Sequence, residues 1–338
     1  MKRFLFIILT AMIIGCGQND WYREGETFYL ENHGAVMPVW VTGNLSSGIF
    51  IIANHGGPGF SSGLEFHRPT YGFKELEKKY ALVYWDQRMS GSAKGDPKFE
   101  DMSVDIHVED LEKLVTLIQS RYNPGSLFLY GHSWGGGLSL EFMGKGINQL
   151  PFNGMIIEDG SIQDRYEMIV RRAWVVPRAE AKLTETGDEY WKEVLAWWEN
   201  NPNPTEADLE PYEHIRELGG YVYDPEASKQ INPTSEFDYL FFSPMSFFWY
   251  TANHANTDYM ANYDFMPNAK NIDRPTLIVW GVEDGAVPVI LSDTIFSLIA
   301  TPTEDKFQVK YEACGHSPHF EKPFDFYNEV TAFIEKYK

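Results

Sequence analysis

Ser126-Leu127-Phe128-Leu129-Tyr130-Gly131-His132-Ser133-Trp134-Gly135-Gly136-Gly137-Leu138-Ser139-Leu140 is an apolar strand pattern running directly into a helical one. At the junction, residues 131–135 read G-x-S-x-G. Alone the pattern is weak, because average glycine and serine usage produces it in roughly one chain in ten of this length. Its context raises its value. A serine on so sharp a strand-to-helix turn stands exposed and strained, with glycines two residues to either side because side chains there would collide. The helix N-terminus beneath it favours developing negative charge. Ser133 is therefore the candidate nucleophile. The competing reading is a tight glycine-rich turn with a spectator serine.

Working outward, strand-length apolar runs occur at 26–31, 36–42, 49–54, 80–85, 126–132, 154–158, 276–281 and 306–311. Helical patterns lie between them. The clearest spans 103–121, with Val104, Val108, Leu111, Val115 and Ile118 on one face and Ser103 as N-cap. Several strands are apolar throughout, which predicts a largely parallel sheet covered on both faces. Between 161 and 271 the rhythm stops. That stretch carries Trp174, Trp191, Trp197, Trp198 and Trp249, prolines such as Pro202 and Pro211, and helical pieces such as 188–200. Arg274-Pro275 then leads back into a strand. The reading is an α/β core of residues 26–160 and 272–338 carrying a mainly helical cap of residues 161–271.

Composition limits the partners. The chain has 338 residues, 43% of them hydrophobic, enough for a sizeable core and too many for disorder. Lys and Arg number 28 against 48 Asp and Glu, and a net charge of −20 argues against nucleic acid, whose phosphates need concentrated cations. Two cysteines exclude a disulfide scaffold and a cysteine-rich zinc site.

The N-terminus reads as a targeting segment. Basic Met1-Lys2-Arg3 precedes the apolar run of residues 4–14, too short for a bilayer span of about 20 residues. Ile13-Ile14-Gly15-Cys16 resembles the lipobox of bacterial lipoproteins. That implies a signal peptide over 1–15, lipid on Cys16, a linker over 16–25, and an exported protein anchored in the cell envelope through lipid alone. The alternative is an ordinary signal peptide with an incidental cysteine. Losing Lys2 and Arg3 takes the charge to −22. Cys314 would then be the one remaining thiol. It lies two residues before a candidate base, so thiol reagents are expected to impair activity without Cys314 being catalytic.

The strand at 49–54 ends in His55-Gly56-Gly57-Pro58-Gly59. Such a loop leaves backbone N–H groups accessible to a ligand, and those of Gly57 and Trp134 are the expected donors to an oxyanion. A phosphate loop is ruled out in detail, since no G-K-[ST] follows and Pro58 removes a donor. His55 is expected to brace the loop rather than to exchange protons.

These residues carry a family resemblance. His55-Gly56-Gly57-Pro58-Gly59, Trp85-Asp86-Gln87-Arg88-Met89-Ser90-Gly91-Ser92 and Gly131-His132-Ser133-Trp134-Gly135-Gly136 resemble, in order and spacing, the proline iminopeptidase-like branch of the α/β-hydrolase superfamily. Met89 stands where that branch usually has glycine, and Glu158-Asp159-Gly160 departs from its common pattern. The resemblance implies an α/β-hydrolase fold, with a mostly parallel eight-stranded sheet, helices on both faces and a helical cap. It implies the chain order serine, acid, histidine. The acid loop G-x-x-D-x-x-V-P lands on Asp284, with Glu283 and Asp159 as alternatives, and G-H-x-x-x-x-E-x-P lands on His316, with His319 as the alternative. The implied activity is acyl-enzyme hydrolysis without metal or organic cofactor. The substrate would be a short peptide losing an N-terminal proline or small apolar residue, or else an ester or amide. A non-catalytic binding protein is the third reading. In that family cap glutamates hold the substrate ammonium, and Trp198-Glu199 and Glu236-Phe237-Asp238-Tyr239-Leu240 are similar, which nominates Glu199 and Glu236. Oligomeric state is left open.

Overall fold

The computed structural model describes residues 25–58, 61–67, 72–205, 208–226 and 262–338. The candidate lipid site Cys16 and the candidate cap residue Glu236 lie outside them.

Among the described residues nine strands form one sheet: β1 Glu26–Asn32, β2 Ala35–Gly43, β3 Ile49–Asn54, β4 Ala81–Trp85, β5 Lys94–Gly95, β6 Ser126–His132, β7 Gly154–Glu158, β8 Thr276–Gly281 and β9 Lys306–Tyr311. Their order is β1-β2-β4-β3-β6-β7-β8-β9, and the short β5 pairs with β2 off this path. From β4 through β3 to β9 every pairing is parallel, while β1, β2 and β5 add antiparallel partners at one edge. The eight expected strands are thus present, and β5 is an addition.

Side-chain alternation explains why the central strands are apolar throughout. In β6, Leu127 and Leu129 enter one core while Phe128 and Tyr130 enter the other. In β8, Ile278 and Trp280 oppose Leu277 and Val279 in the same way. Helices α1 Gly72–Glu77, α2 Val104–Tyr122 and α3 Trp134–Gly144 follow β3, β5 and β6 in the chain. Ser103 caps α2, its side chain accepting from the Ile106 N–H, and Asn123 ends it in the left-handed region at φ 46°.

The cap begins with α4 Asp164–Thr186, a 23-residue helix with Pro177 inside it. Asp188 caps the next helix, α5 Glu189–Asn200, and α6 Glu210–Glu217 follows. Trp174, Trp191 and Trp198 are buried and pack the cap. The chain re-enters the core beside its point of exit: Gln163 bridges Asp264, and the Phe265 N–H donates to the Ile162 carbonyl at 2.9 Å. Helices α7 Met266–Ala269, α8 Ile290–Leu298, α9 Pro318–Glu321 and α10 Pro323–Tyr337 complete the described α-helices. Among the described residues no helix is long and apolar enough to cross a membrane.

Candidate active site

Ser133 sits between the last residue of β6 and the first of α3 with φ 55° and ψ −124°. A residue with a Cβ is strained there, and the surroundings hold it in place. Its N–H donates to the Glu158 carbonyl at 3.0 Å, and its carbonyl accepts from the N–H groups of Gly136 and Ser161 at 2.9 and 3.0 Å. A Cβ on Gly131 or Gly135 would strike neighbouring backbone, so the flanking glycines are sterically required. Ser133 is half-buried while His132 and Trp134 on either side are buried.

The glycine loop after β3 passes over this turn. A Cβ on Gly56 would lie 3.2 Å from Ser133 Cβ and 3.6 Å from its Oγ. Gly57 has φ 118°, accessible to glycine and rarely to other residues. Trp134 opens α3, which places its N–H at the helix N-terminus below Ser133. The two expected oxyanion donors thus come from elements that meet at the serine.

His55 braces this loop. Its Nε2 accepts from the Gln87 N–H at 3.1 Å, its Nδ1 contacts the Gly56 carbonyl at 2.6 Å, and the Gln87 amide donates to the His55 carbonyl at 2.8 Å. An Nε2 that accepts leaves the proton on Nδ1, a neutral imidazole. Burial agrees, lowering the His55 pKa to about 4. The Asp86–Ser92 segment is fixed as tightly. Asp86 accepts from Ser62 Oγ at 2.6 Å, from the Gly63 N–H at 3.0 Å and from the Ser92 N–H. Arg88, fully buried, donates twice to Asp110 at 2.6 Å. Met89, the departure from the family pattern, has φ 62°, the conformation in which glycine is at ease.

The acid and base loops follow β8 and β9. Asp284 is fully buried, its Oδ1 accepting from the N–H groups of Ala286 and Val287 at 2.7 and 2.9 Å. Its Oδ2 lies 2.8 Å from His316 Nδ1. The His316 ring lies with its centroid 4.9 Å from that of His132, tilted by 44°, and the His132 Nε2 donates to the His316 carbonyl at 2.8 Å. Burial holds His132 neutral, its pKa lowered to about 3. Glu321, the acidic member of G-H-x-x-x-x-E-x-P, accepts from the Gly315 N–H at 2.7 Å and so fixes the loop that presents His316.

The rejected candidates also have definite places. Glu283, at 33% side-chain exposure, pairs with Arg178 at 3.0 Å. His319 is buried and bonded to Glu158, its N–H donating at 2.7 Å and its Nδ1 lying at 2.9 Å, while Tyr130 donates to the other carboxylate oxygen. Burial works against the charge of Glu158, but His319, His132 and Tyr130 outweigh it and hold its pKa below the usual value. Asp159 lies closest to being a second acid. It is fully buried, at φ 45°, and its Oδ1 accepts from the Gly281 N–H at 3.0 Å. Burial, then the charges of Asp284 and Glu158, push its carboxyl well above the ordinary range. Donor atoms of His132, Asp159 and His316 lie within 4.8 Å of one another, the one such trio among the described residues. One nitrogen of each histidine is engaged, with the His316 carbonyl and with Asp284, so the trio reads as packing around the base.

Glu199 does not join this group. It is exposed near the end of α5, and its carboxylate has no side-chain hydrogen bond or ion pair among the described residues. Cys314 requires a correction. It is fully buried, and burial together with Glu321 pushes its thiol far above the ordinary range. Thiol reagents act on exposed thiolates, so the expected sensitivity does not fit this position.

A strained serine at a strand-to-helix turn, a glycine loop above it, and a carboxylate-bonded histidine beyond the last strand define a hydrolase of the α/β fold. The family model described as alpha/beta hydrolase fold matches residues 50–323, and the chain belongs to that family. The chain is 23% identical over 297 residues to "Probable aminopeptidase YbaC" of Bacillus subtilis (strain 168), covering 82% of this chain and 86% of that one. Among solved structures, a proline iminopeptidase of Mycobacterium smegmatis superposes with TM-score 0.64 at 17% identity over 92% of this chain and 98% of that one. An esterase of Rhodococcus sp. ECU1013 does so equally well, with TM-score 0.64 at 18% identity over 93% and 100%.

Proposed function

We propose that this chain is a serine hydrolase working through an acyl-enzyme on Ser133, and that it releases an N-terminal proline or small apolar residue from short peptides. The observation that carries the chemistry is the 2.8 Å contact between His316 Nδ1 and Asp284 Oδ2 on the loops beside the strained Ser133 turn. In this reading Ser133 Oγ gives its proton to His316 and attacks the substrate carbonyl. Asp284 keeps the proton on Nδ1, so that Nε2 is the nitrogen that acts as base, and it stabilises the imidazolium. The Gly57 and Trp134 N–H groups donate to the oxyanion. His316 then protonates the leaving amine, and water attacks the acyl group by the same route in reverse.

The peptidase assignment rests on the motif resemblance and on the aminopeptidase and iminopeptidase relatives. The equal likeness to an esterase supports the second reading, the same triad acting on an ester. At the N-terminus, the lipobox-like 13–16 segment supports export and lipidation at Cys16. The test is the full chain in detergent, assayed on proline and alanine arylamides against p-nitrophenyl esters, with Ser133→Ala as blank. Arylamide turnover is expected. Ester turnover without arylamide release retires the peptidase, and failure to label with a fluorophosphonate that labels a control hydrolase retires both enzymatic readings. Cys16→Ser is expected to move the protein out of the membrane fraction; unchanged partitioning removes the anchor.

A further inference from the structure

The cap grips both loops that carry the acid and the base. On α4, Arg171 is 3% exposed and pairs with buried Glu167 at 3.2 Å, and its Nε donates to the carbonyl of Ala286. Ala286 is the residue whose own N–H donates to Asp284 Oδ1 at 2.7 Å. One turn on, Trp174 covers Gly285 so closely that a Cβ there would stand 2.8 Å from the indole. A further turn on, Arg178 lies over the Trp174 ring at 4.1 Å and pairs with Glu283 at 3.0 Å. Residues 171, 174 and 178 share one helix face, and that face touches residues 286, 285 and 283 of the acid loop.

The segment after α6 completes the grip. The Gly220 carbonyl accepts from the Gly285 N–H at 3.0 Å, and the Tyr221 carbonyl accepts from the His316 N–H at 2.9 Å. The Tyr223 N–H donates at 2.8 Å to Glu321, which also holds the Gly315 N–H. One stretch of cap therefore bonds the backbone of the base loop and the turn that carries the acid.

We propose that the Arg171–Trp174–Arg178 face is a positioning element for hydrolysis, with Arg171 its principal residue, setting Asp284 against His316 through Ala286. The inference rests on the Ser133, His316 and Asp284 assignment. The physical argument is preorganisation. Asp284 is aimed by two N–H bonds from its own turn, so its direction is only as fixed as that turn. Releasing the Ala286 carbonyl lets the turn rock, and misplacement on the order of 1 Å costs about 100-fold in rate. A cap that merely covers the site would contribute to substrate affinity and leave turnover alone.

The test compares Arg171→Lys, Arg178→Met and the double variant Glu167→Gln/Arg171→Met, which neutralises both members of the buried Glu167–Arg171 pair. Turnover of p-nitrophenyl acetate is expressed per site titrated with a fluorophosphonate, so unfolded protein does not count. The double variant is expected to lose ~10- to 100-fold in kcat with KM within about twofold, and Arg178→Met ~3- to 10-fold. Arg171→Lys, which keeps a cation and a donor, is expected to recover most of the loss. Per-site kcat within twofold of wild type in the double variant and in Arg178→Met, whatever happens to Tm, overturns the proposal. Should the double variant yield no folded protein, Arg178→Met decides alone. Wild type that takes no label, or an active Ser133→Ala, would instead overturn the underlying assignment.

Discussion

Ser133→Ala is expected to lower kcat by about 10⁶-fold on the best substrate and to end fluorophosphonate labelling, with the fold intact. The size follows from what the substitution removes. Without Oγ there is no acyl-enzyme, and His316 and Asp284 then have no proton transfer to serve, so the unit fails together. What survives is binding and oxyanion stabilisation, worth about 10³- to 10⁴-fold over water. The fold should persist because the bonds fixing the turn are backbone bonds, from the Ser133 N–H to Glu158 and from Gly136 and Ser161 to the Ser133 carbonyl. Alanine keeps the Cβ and therefore the backbone strain at φ 55°, so Tm should move by only a few degrees. Kinetics and a thermal melt on the same preparation check both parts. Activity within tenfold of wild type would remove Ser133 from the chemistry.

The candidate site is legible where it is encoded by short-range pattern. G-x-S-x-G, the glycine loop and the two late loops each declare themselves within a few residues, because each makes a backbone demand that few residue types meet. The central parallel strands were legible because a strand buried on both faces is apolar nearly throughout, whereas the edge strand β9 carries only alternate apolar residues, Phe307, Val309 and Tyr311. β5 was not, since its two residues, Lys94 and Gly95, carry no hydrophobic signal and are fixed only by pairing with Ala35 and Val36. Helix α4 was not recognised as one 23-residue element because Pro177 interrupts its pattern, while packing of Met168, Trp174, Val175 and Ala179 outweighs that interruption. The bond between Glu158 and His319 spans 161 positions, and that between Arg171 and Ala286 spans 115. Nothing local to either partner announces such a bond, so the sequence leaves His319 open as the alternative base. Arg171 had one faint sign, the i,i+4 spacing from Glu167, which many exposed helices share.

Asp284→Asn and Asp159→Asn form the second decisive comparison, since two carboxyls crowd the same histidine. Asp284→Asn is expected to lose about 10⁴-fold in kcat with little change in KM. Asparagine can keep the Ala286 and Val287 bonds through its oxygen, but its amide then faces His316 Nδ1 as a donor. The imidazole must place its proton on Nε2, the wrong tautomer for a base. Asp159→Asn is expected to change kcat by less than about fivefold, because burial and the charges of Asp284 and Glu158 disfavour a charge on Asp159, and an amide of the same shape keeps the Gly281 bond. Its signature lies in stability. A carboxyl whose folded pKa is raised holds a proton that the unfolded chain has released, so the native state loses ground as pH rises above the ordinary carboxylate range. Asparagine lacks this term. The Tm of Asp159→Asn relative to wild type should therefore rise as pH increases above about 4, as measured by melts at a series of pH values. If Asp159→Asn loses the 10⁴-fold instead and Asp284→Asn stays active, the acid sits after β7 and Asp284 is its neighbour.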